Sequence, residues 1–244
     1  MHGPATSARI SRWGVVVMAS SLLIVGGAGA LAIDAVASSH TRVVSFAVRG
    51  SLSGVALDVD GADVVITGGG RRAVLAVQRT DRFAFGHDAE VRRSVAGGEL
   101  RIHSRCPHAV PRACSVRYRL VVPDNVPVTV RTGAGTVRFD GYRGSARVTT
   151  RSGDIAIAGF CGFSLEARAE SGDIAANAAC APQQLALRST QGSVRVSVPP
   201  GRYQVEAESA SGHHRIRGLD ATADAPFAIQ ALSSSGDVLV EGRR

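Results

Sequence analysis

Three aspartates recur at the same place in a short motif near the C-terminal end of the chain. The motif reads Ser-Gly-Asp followed by Ile or Val, and it contains Asp154, Asp173 and Asp237. A row of carboxylates could bind Ca²⁺, or a pair could act as acid and base in a carbohydrate-cleaving β-helix enzyme. Weaker copies of the motif place other small or polar turn formers there. We therefore predict that each Asp caps its own turn, with no catalytic residue, metal or cofactor.

The glycine before each of these positions shows that the motif is part of a repeat. Successive glycines are 18, 19, 20, 20 and 24 residues apart, a period typical of stacked supersecondary units and not of an ordinary enzyme core. Gly supplies the positive φ that a tight corner needs. The predicted corner residues are Gly135, Gly153, Asp154, Gly172, Asp173, Gly192, Gly212, Gly236 and Asp237.

Apolar and polar residues alternate on both sides of each glycine. Two and four residues after it, and five and seven before it, the residues are mostly Val, Ile, Leu or Ala. This period of two predicts short strands with one buried face. One unit cannot bury that face alone, so we predict an all-β fold, a parallel β-solenoid in which successive units stack. An array of antiparallel hairpins inside a sandwich is the alternative.

The four cysteines favour the solenoid. Cys161 and Cys180 each lie eight residues after a repeat glycine, so stacked coils would place one above the other. A strand spacing of about 4.8 Å fits the Cα separation of a disulfide. We predict the pairs Cys161–Cys180 and Cys106–Cys114, while other connectivities stay open. The spacings lack the C-x2-C form, which disfavours a metal site.

An uncharged run of 21 residues, 13–33, precedes the repeats and is long enough to span a bilayer. Arg9 and Arg12 stand before it and Asp34 follows, so the positive-inside rule leaves the N-terminus in the cytoplasm. A signal peptide cleaved after residues 35–37 is the alternative, although the run exceeds the usual apolar length of such peptides.

The chain divides into four predicted parts. These are a cytoplasmic N-terminus (1–12), a transmembrane anchor helix (13–33), a juxtamembrane linker (34–42) and one extracytoplasmic β-repeat domain (43–244). The predicted localisation is the cell membrane, crossed once.

Charge and side-chain types limit the classes of partner. The formal net charge is +8 and every basic residue is Arg, but these residues are scattered among acids, without a basic helix or an aromatic platform. We therefore expect no nucleic-acid partner. Outward arginines could meet anionic envelope polymers or lipid head groups, or could form a solvated face. The pair His213-His214 could ligate a metal, although an exposed turn is the favoured interpretation.

Two further segments carry a resemblance to a known family. Residues 118–123 (YRLVVP) and 126–135 (VPVTVRTGAG), followed by the Ser-Gly-Asp copies, resemble the bacterial "putative adhesin" family of unknown-function domains. The resemblance covers residues 45–242. It implies short β repeats in membrane-anchored envelope proteins, and it supplies no catalytic residues. The pair His213-His214 and the last, 24-residue step depart from the pattern.

The sequence thus predicts a non-enzymatic, membrane-anchored protein with an adhesion, scaffold or interaction role at the bacterial cell envelope. Its expected partners are the membrane and either envelope polymers or another membrane protein, with no cofactor. A carbohydrate-binding or carbohydrate-cleaving β-helix protein is one alternative. An accessory sensor of envelope stress is another, because some members of the resembled family sit beside envelope-stress signalling genes.

Overall fold

The computed structural model describes residues 40–69, 73–84, 88–107 and 114–243. The predicted cytoplasmic segment, the anchor helix and most of the linker lie outside these ranges. Within them, no helix has the length and apolar character needed to cross a membrane. The first strand begins at His40, so the end of the predicted linker is already strand.

The described residues form twenty strands, as the alternating pattern predicts. They are β1 (His40–Arg49), β2 (Gly54–Val59), β3 (Ala62–Gly68), β4 (Val74–Phe83), β5 (Glu90–Ala96), β6 (Glu99–Arg105), β7 (Cys114–Val122), β8 (Val128–Ala134), β9 (Val137–Asp140), β10 (Ala146–Ser152), β11 (Ile155–Phe160), β12 (Ser164–Ser171), β13 (Ile174–Ala178), β14 (Gln184–Gln191), β15 (Val194–Val198), β16 (Arg202–Ser209), β17 (His214–Arg217), β18 (Asp220–Ala221), β19 (Phe227–Ser235) and β20 (Val238–Gly242).

These strands make two ten-stranded sheets with the core between them. Sheet 1 has the order β1-β4-β7-β3-β9-β11-β13-β15-β20-β17, and sheet 2 has the order β18-β16-β19-β14-β12-β10-β8-β2-β6-β5. Pairing is parallel throughout the repeats and antiparallel only where β1 meets β4, β4 meets β7 and β5 meets β6. The all-β, solenoid-like prediction is confirmed, and the hairpin array is excluded.

Residues at equivalent repeat positions lie directly above one another in neighbouring coils. Val148 of β10 pairs in register with Val130 of β8 and with Ala167 of β12, and all three side chains are fully buried. The same holds on sheet 1, where Ile155 lies between Val137 and Ile174. Burial of these aliphatic columns is the main stabilising contribution, about 25 cal/mol for each Å² of apolar surface removed from water.

The order of the last two units differs from the prediction. The unit β19–β20 lies between β14–β15 and β16–β17, so stacking in sequence order is wrong at this end. The physical reason is composition. An inner unit has a neighbouring coil on each side, so its core-facing residues must be apolar. Strand β20 has Val238 and Val240 at these positions, whereas β17 has His214 and Ile216. The unit with the histidine therefore takes the end position.

The N-terminal end is rearranged in the same way, and it is covered. The unit β2–β3 lies between β8–β9 and β6–β7. Antiparallel strands β4 and β1 then extend sheet 1, while β5 extends sheet 2. The guanidinium of Arg93 lies 4.1 Å from the ring centre of Phe46, and Arg42 contacts Asp88 at 3.3 Å. These contacts connect the outermost strands of both sheets across the end.

Candidate functional site

The repeat corners form a continuous column along one edge of the stack. At the corner between β12 and β13, Gly172 has a φ of +137°. A Cβ atom there would overlap the carbonyl oxygen of Gly153 in the neighbouring coil. Gly172 is therefore required twice, for its backbone angle and for the close approach of the next coil.

The corner aspartates bind the neighbouring coil and not their own turn. The Oδ1 atom of Asp154 accepts the backbone N–H of Asp173 at 2.9 Å, and Oδ1 of Asp173 accepts that of Ser193 at 2.8 Å. Asp63 and Asp237 make the same bond to Thr136 and His213, respectively. The prediction that each Asp caps its own turn is corrected. This ladder of bonds accounts for the carboxylates without a ligand.

Asp237 shows the electrostatic consequence of this bond. Its pKa is lowered from the ordinary 3.8, first by the backbone N–H of His213 and also by the nearby imidazole. The imidazole Nδ1 lies 3.6 Å from Oδ1 of Asp237, and both side chains are largely exposed. His213 is thus an exposed corner residue, and His214 is the exposed first residue of β17. Within the described ranges, no three His, Cys, Asp or Glu side chains converge on a possible metal position.

A second column of hydroxyl groups was missed by the sequence reasoning. A hydroxyl residue lies three residues before five of the six repeat glycines, Ala169 being the exception. Ser189 donates to the carbonyl oxygen of Gly172 at 2.9 Å, and Ser233 donates to that of Gly192 at 2.8 Å. The signal was present, since Thr or Ser recurs at this offset. Each bond joins one coil to the next inside the core, where an unpaired carbonyl would be costly.

Both predicted disulfides are present. Cys161 and Cys180 are joined between adjacent coils with a Cα separation of 4.8 Å, and Cys106 and Cys114 close a local loop. The first bond links two strand ends that the parallel stack already places one strand spacing apart.

Outward arginines lie on both sheets. On sheet 2, Arg168 and Arg188 are in direct register. Arg168 also shares Glu166 with Arg147, at 2.6 and 2.7 Å. On sheet 1, Arg195 lies in register with Leu239, and both face outward. The two faces therefore carry isolated cations and small ion-pair networks, and neither face is uniformly basic.

Buried tyrosines fill the turns that connect one coil to the next. The Tyr142 hydroxyl donates to the carbonyl oxygens of Val126 and Ser145, and that of Tyr203 donates to Pro199 at 2.9 Å. Burial raises the pKa of both hydroxyls. These fully buried side chains act as core fillers.

The most irregular surface is the end unit β16–β17. All four residues of β17 are exposed, and Ile216 keeps 40% of its surface accessible although it occupies a core register. Strand β18 pairs with only the first two residues of β16. We call this surface the open end, defined by residues 204–209 of β16 and 214–217 of β17.

Comparison with known proteins agrees with this architecture. The chain is similar to the crystal structure of a protein from Clostridium sporogenes described as a putative cell adhesion protein, with a TM-score of 0.51 and 10% identity, over 84% of this chain and 100% of that one. A putative adhesin from Bacteroides fragilis aligns over 83% of this chain and 97% of its own, with 11% identity and a TM-score of 0.45. At such low identity the first likeness shows the fold alone.

Sequence comparison points to the same family. No curated protein matches the chain. A family model described as Toastrack DUF4097 matches residues 124–241, which contain the corner glycines, the inter-coil disulfide and the inserted last unit. The resemblance to a family of "putative adhesin" domains is thereby confirmed. The match to the Toastrack DUF4097 family thus covers residues 124–241 of this chain.

Proposed function

We propose that this protein is a non-enzymatic, membrane-anchored protein of the bacterial cell envelope, whose β-repeat domain acts outside the membrane in adhesion, scaffolding or protein contact. The observation that carries the proposal is the Cys161–Cys180 bond between adjacent coils. Structural disulfides form and persist in oxidising compartments and are rare in the cytosol. A second disulfide, Cys106–Cys114, supports the same location.

The shape of the domain suits a spacer with a contact surface. Ten strands at a spacing of about 4.8 Å give each sheet a length of roughly 43 Å. Strand β1 begins at His40 and lies at one edge of sheet 1, a few residues after the run predicted to anchor the chain. The open end lies at the opposite edge, so an anchored chain would present it away from the membrane.

The adhesive role draws on one comparison. The similar Clostridium protein is described as a putative cell adhesion protein, and extended repeat folds use long, regular surfaces for binding. Both outer faces here are exposed rows of mixed charge, as expected of a surface that meets other macromolecules.

The location is tested with the full chain carrying one epitope at each end in its native host. Protease added to spheroplasts should remove the C-terminal epitope and leave the N-terminal one. Non-reducing mass spectrometry of thiol-blocked intact cells should find the Cys161–Cys180 peptide. In the control variant Cys161→Ser, the blocking reagent should label Cys180. Free thiols at all four cysteines, with both epitopes protected, would contradict the location.

The interaction role needs a separate readout. Cells that lack the chain should lose attachment to one another or to a surface, and the full chain supplied in trans should restore it. Restoration should fail with a variant in which residues 43–244 are deleted. If deletion of the chain leaves attachment and envelope protein contacts unchanged, the interaction role is wrong even when the location is right.

A further inference from the structure

The open end is an unpaired β edge on both sheets. Within the described residues, β17 pairs only with β20, and residues 204–209 of β16 pair only with β19. Exposed edges readily add another strand, because their N–H and C=O groups point outward without a partner. The N-terminal end differs, since its edge strands β1 and β5 are antiparallel to their neighbours and contact each other across the end through Phe46 and Arg93.

The two strands of this edge carry opposite charges at the same spacing. Arg215 and Arg217 are two residues apart on the outer face of β17, and neither makes an ion pair within the described ranges. Glu206 and Glu208 are two residues apart on the outer face of β16, where Glu206 accepts a hydrogen bond from Gln230. Charges of one sign on both strands would repel a second copy of this edge, whereas opposite signs can pair with it.

We propose that two copies of this chain join end to end through their open ends, with β17 of each copy pairing antiparallel to β16 of the other. A two-fold axis along the strand direction produces this arrangement, because it places sheet 1 of one copy against sheet 2 of the next. Such an isologous contact closes on itself and gives a dimer.

One register satisfies both the charged and the apolar positions. With Arg215 opposite Glu208, Arg217 falls opposite Glu206, since both strands advance by two. Ile216 then lies opposite Ala207, and both point to the core side. Strand β18 leaves this stretch free, because it covers only Arg202 and Tyr203. Two identical ladders would bury the half-exposed Ile216 of each copy and extend both cores across the junction.

The other two-fold arrangement is disfavoured by charge. It would pair β17 with β17 and β16 with β16, which places Arg near Arg and Glu near Glu. Like charges directly opposite on paired strands are destabilising. Charge complementarity therefore selects the crossed pairing.

This inference names a second copy of the chain as the partner in the proposed interaction role. It rests on that role only for what the dimer would do in the cell. Its test is the mass of the purified full chain, which does not depend on cellular location. Sedimentation in a density-matched detergent should show a monomer–dimer equilibrium. Arg215→Glu with Arg217→Glu should weaken the dimer about tenfold or more, as should Glu206→Arg with Glu208→Arg. The variant with all four exchanges should restore it.

A control pair separates the open end from general charge effects. Arg131→Glu with Arg188→Glu changes the same charge on sheet 2 away from the end and should leave the equilibrium unchanged. Association through the apolar segment 13–33 would be insensitive to all these variants and would overturn the proposal. A wild-type chain that stays monomeric at every concentration would do the same.

Cross-linking tests the register directly. A copy with Arg215→Cys mixed with a copy with Glu208→Cys should form a disulfide-linked heterodimer, because directly opposite residues have Cα atoms about 4.5–5.5 Å apart. Neither copy alone should cross-link. Efficient linkage of Arg215→Cys to itself would instead establish the β17–β17 pairing and refute the crossed one.

Discussion

The corner glycine is the residue on which the coil stack depends most directly. Gly172→Ala places a Cβ against the backbone of Gly153 and forces a non-glycine residue to a φ of +137°. We expect the free energy of unfolding to fall by about 3 kcal/mol or more, because neither backbone can move without opening the stack. Chemical denaturation measures this loss.

A matched glycine separates the two causes. Gly141 has a φ of +58° and open space where its Cβ would be. Gly141→Ala should therefore cost only the left-handed backbone term, about 1–2 kcal/mol. Equal losses in the two variants would show that close approach of the coils contributes nothing.

The carboxylate of Asp237 should make the stability of the fold depend on pH. Its pKa is lowered from 3.8 in the folded state, mainly by the N–H of His213, so the ionised form stabilises the fold. This stabilisation is present above about pH 4 and is lost as the pH falls through the lowered pKa. Asp237→Asn should be less stable than wild type at pH 7, and the difference should shrink below pH 3.

The control for this titration is Asp140→Asn, which removes an exposed carboxylate from the same sheet. The described residues give the carboxylate of Asp140 no hydrogen bond to a neighbouring coil. Its stability difference from wild type at pH 7 should be small. A constant deficit for Asp237→Asn from pH 7 to pH 3 would show that the charge of Asp237 is irrelevant.

Residue types were more predictable than their partners. The Ser-Gly-Asp spacing located the corners, yet it suggested that Asp154 binds its own turn. The actual acceptor bond reaches Asp173 in the next coil. A carboxylate that caps its own turn and one that bonds to the next coil require the same residue at the same position. Only the stacked structure shows which of the two bonds forms. The hydroxyl of Ser189 was missed for a similar reason, because its acceptor is seventeen residues away.

At the scale of elements, the insertion of β19–β20 predicts that equivalent core residues in the inner and the end unit contribute differently to stability. Ile216 and Val240 lie side by side in the same register, one in the end unit and one in the inner unit. Val240 is fully buried, whereas Ile216 is 40% exposed. Val240→Ala should cost about 2 kcal/mol, and Ile216→Ala less than about 1 kcal/mol although it removes more atoms.

Each of these two substitutions serves as the control for the other. The measurement is equilibrium unfolding by denaturant, at a protein concentration too low for copies to associate. Stacking in sequence order would reverse the result, because the unit of Ile216 would then be internal and that of Val240 terminal. A larger loss for Ile216→Ala would therefore contradict the inserted order.

Strand positions follow from alternation, but strand order does not. The period of two located β8 to β16 because each strand buries one face, and this requirement is local. The position of β19–β20 depends on a comparison between whole units, decided by His214 against Val238 at one register. The region 79–98 lies outside the repeats and contains the end of β4 and all of β5. Their antiparallel pairing lies outside the repeat pattern.

The whole molecule behaves as a one-dimensional stack, in which each coil contacts only its neighbours. In such a stack, stability is a sum of unit terms and interface terms, so units with two interfaces hold more tightly than units with one. The central coils β10–β11 and β12–β13 have two full interfaces, and the disulfide from Cys161 to Cys180 joins them. The ends differ from each other, because antiparallel strands cover the N-terminal end and the other end is open.

Amide hydrogen exchange should therefore be graded along the stack. We expect the slowest exchange in β10 to β13 and the fastest in β16 and β17, where local opening breaks a single interface. Mass spectrometry of peptides from the dilute full chain measures this order, and raising the concentration should slow β16 and β17 alone if copies join there. Uniform protection from β2 to β20 would mean that the domain opens only as one cooperative unit, and the nearest-neighbour description of its stability would then fail.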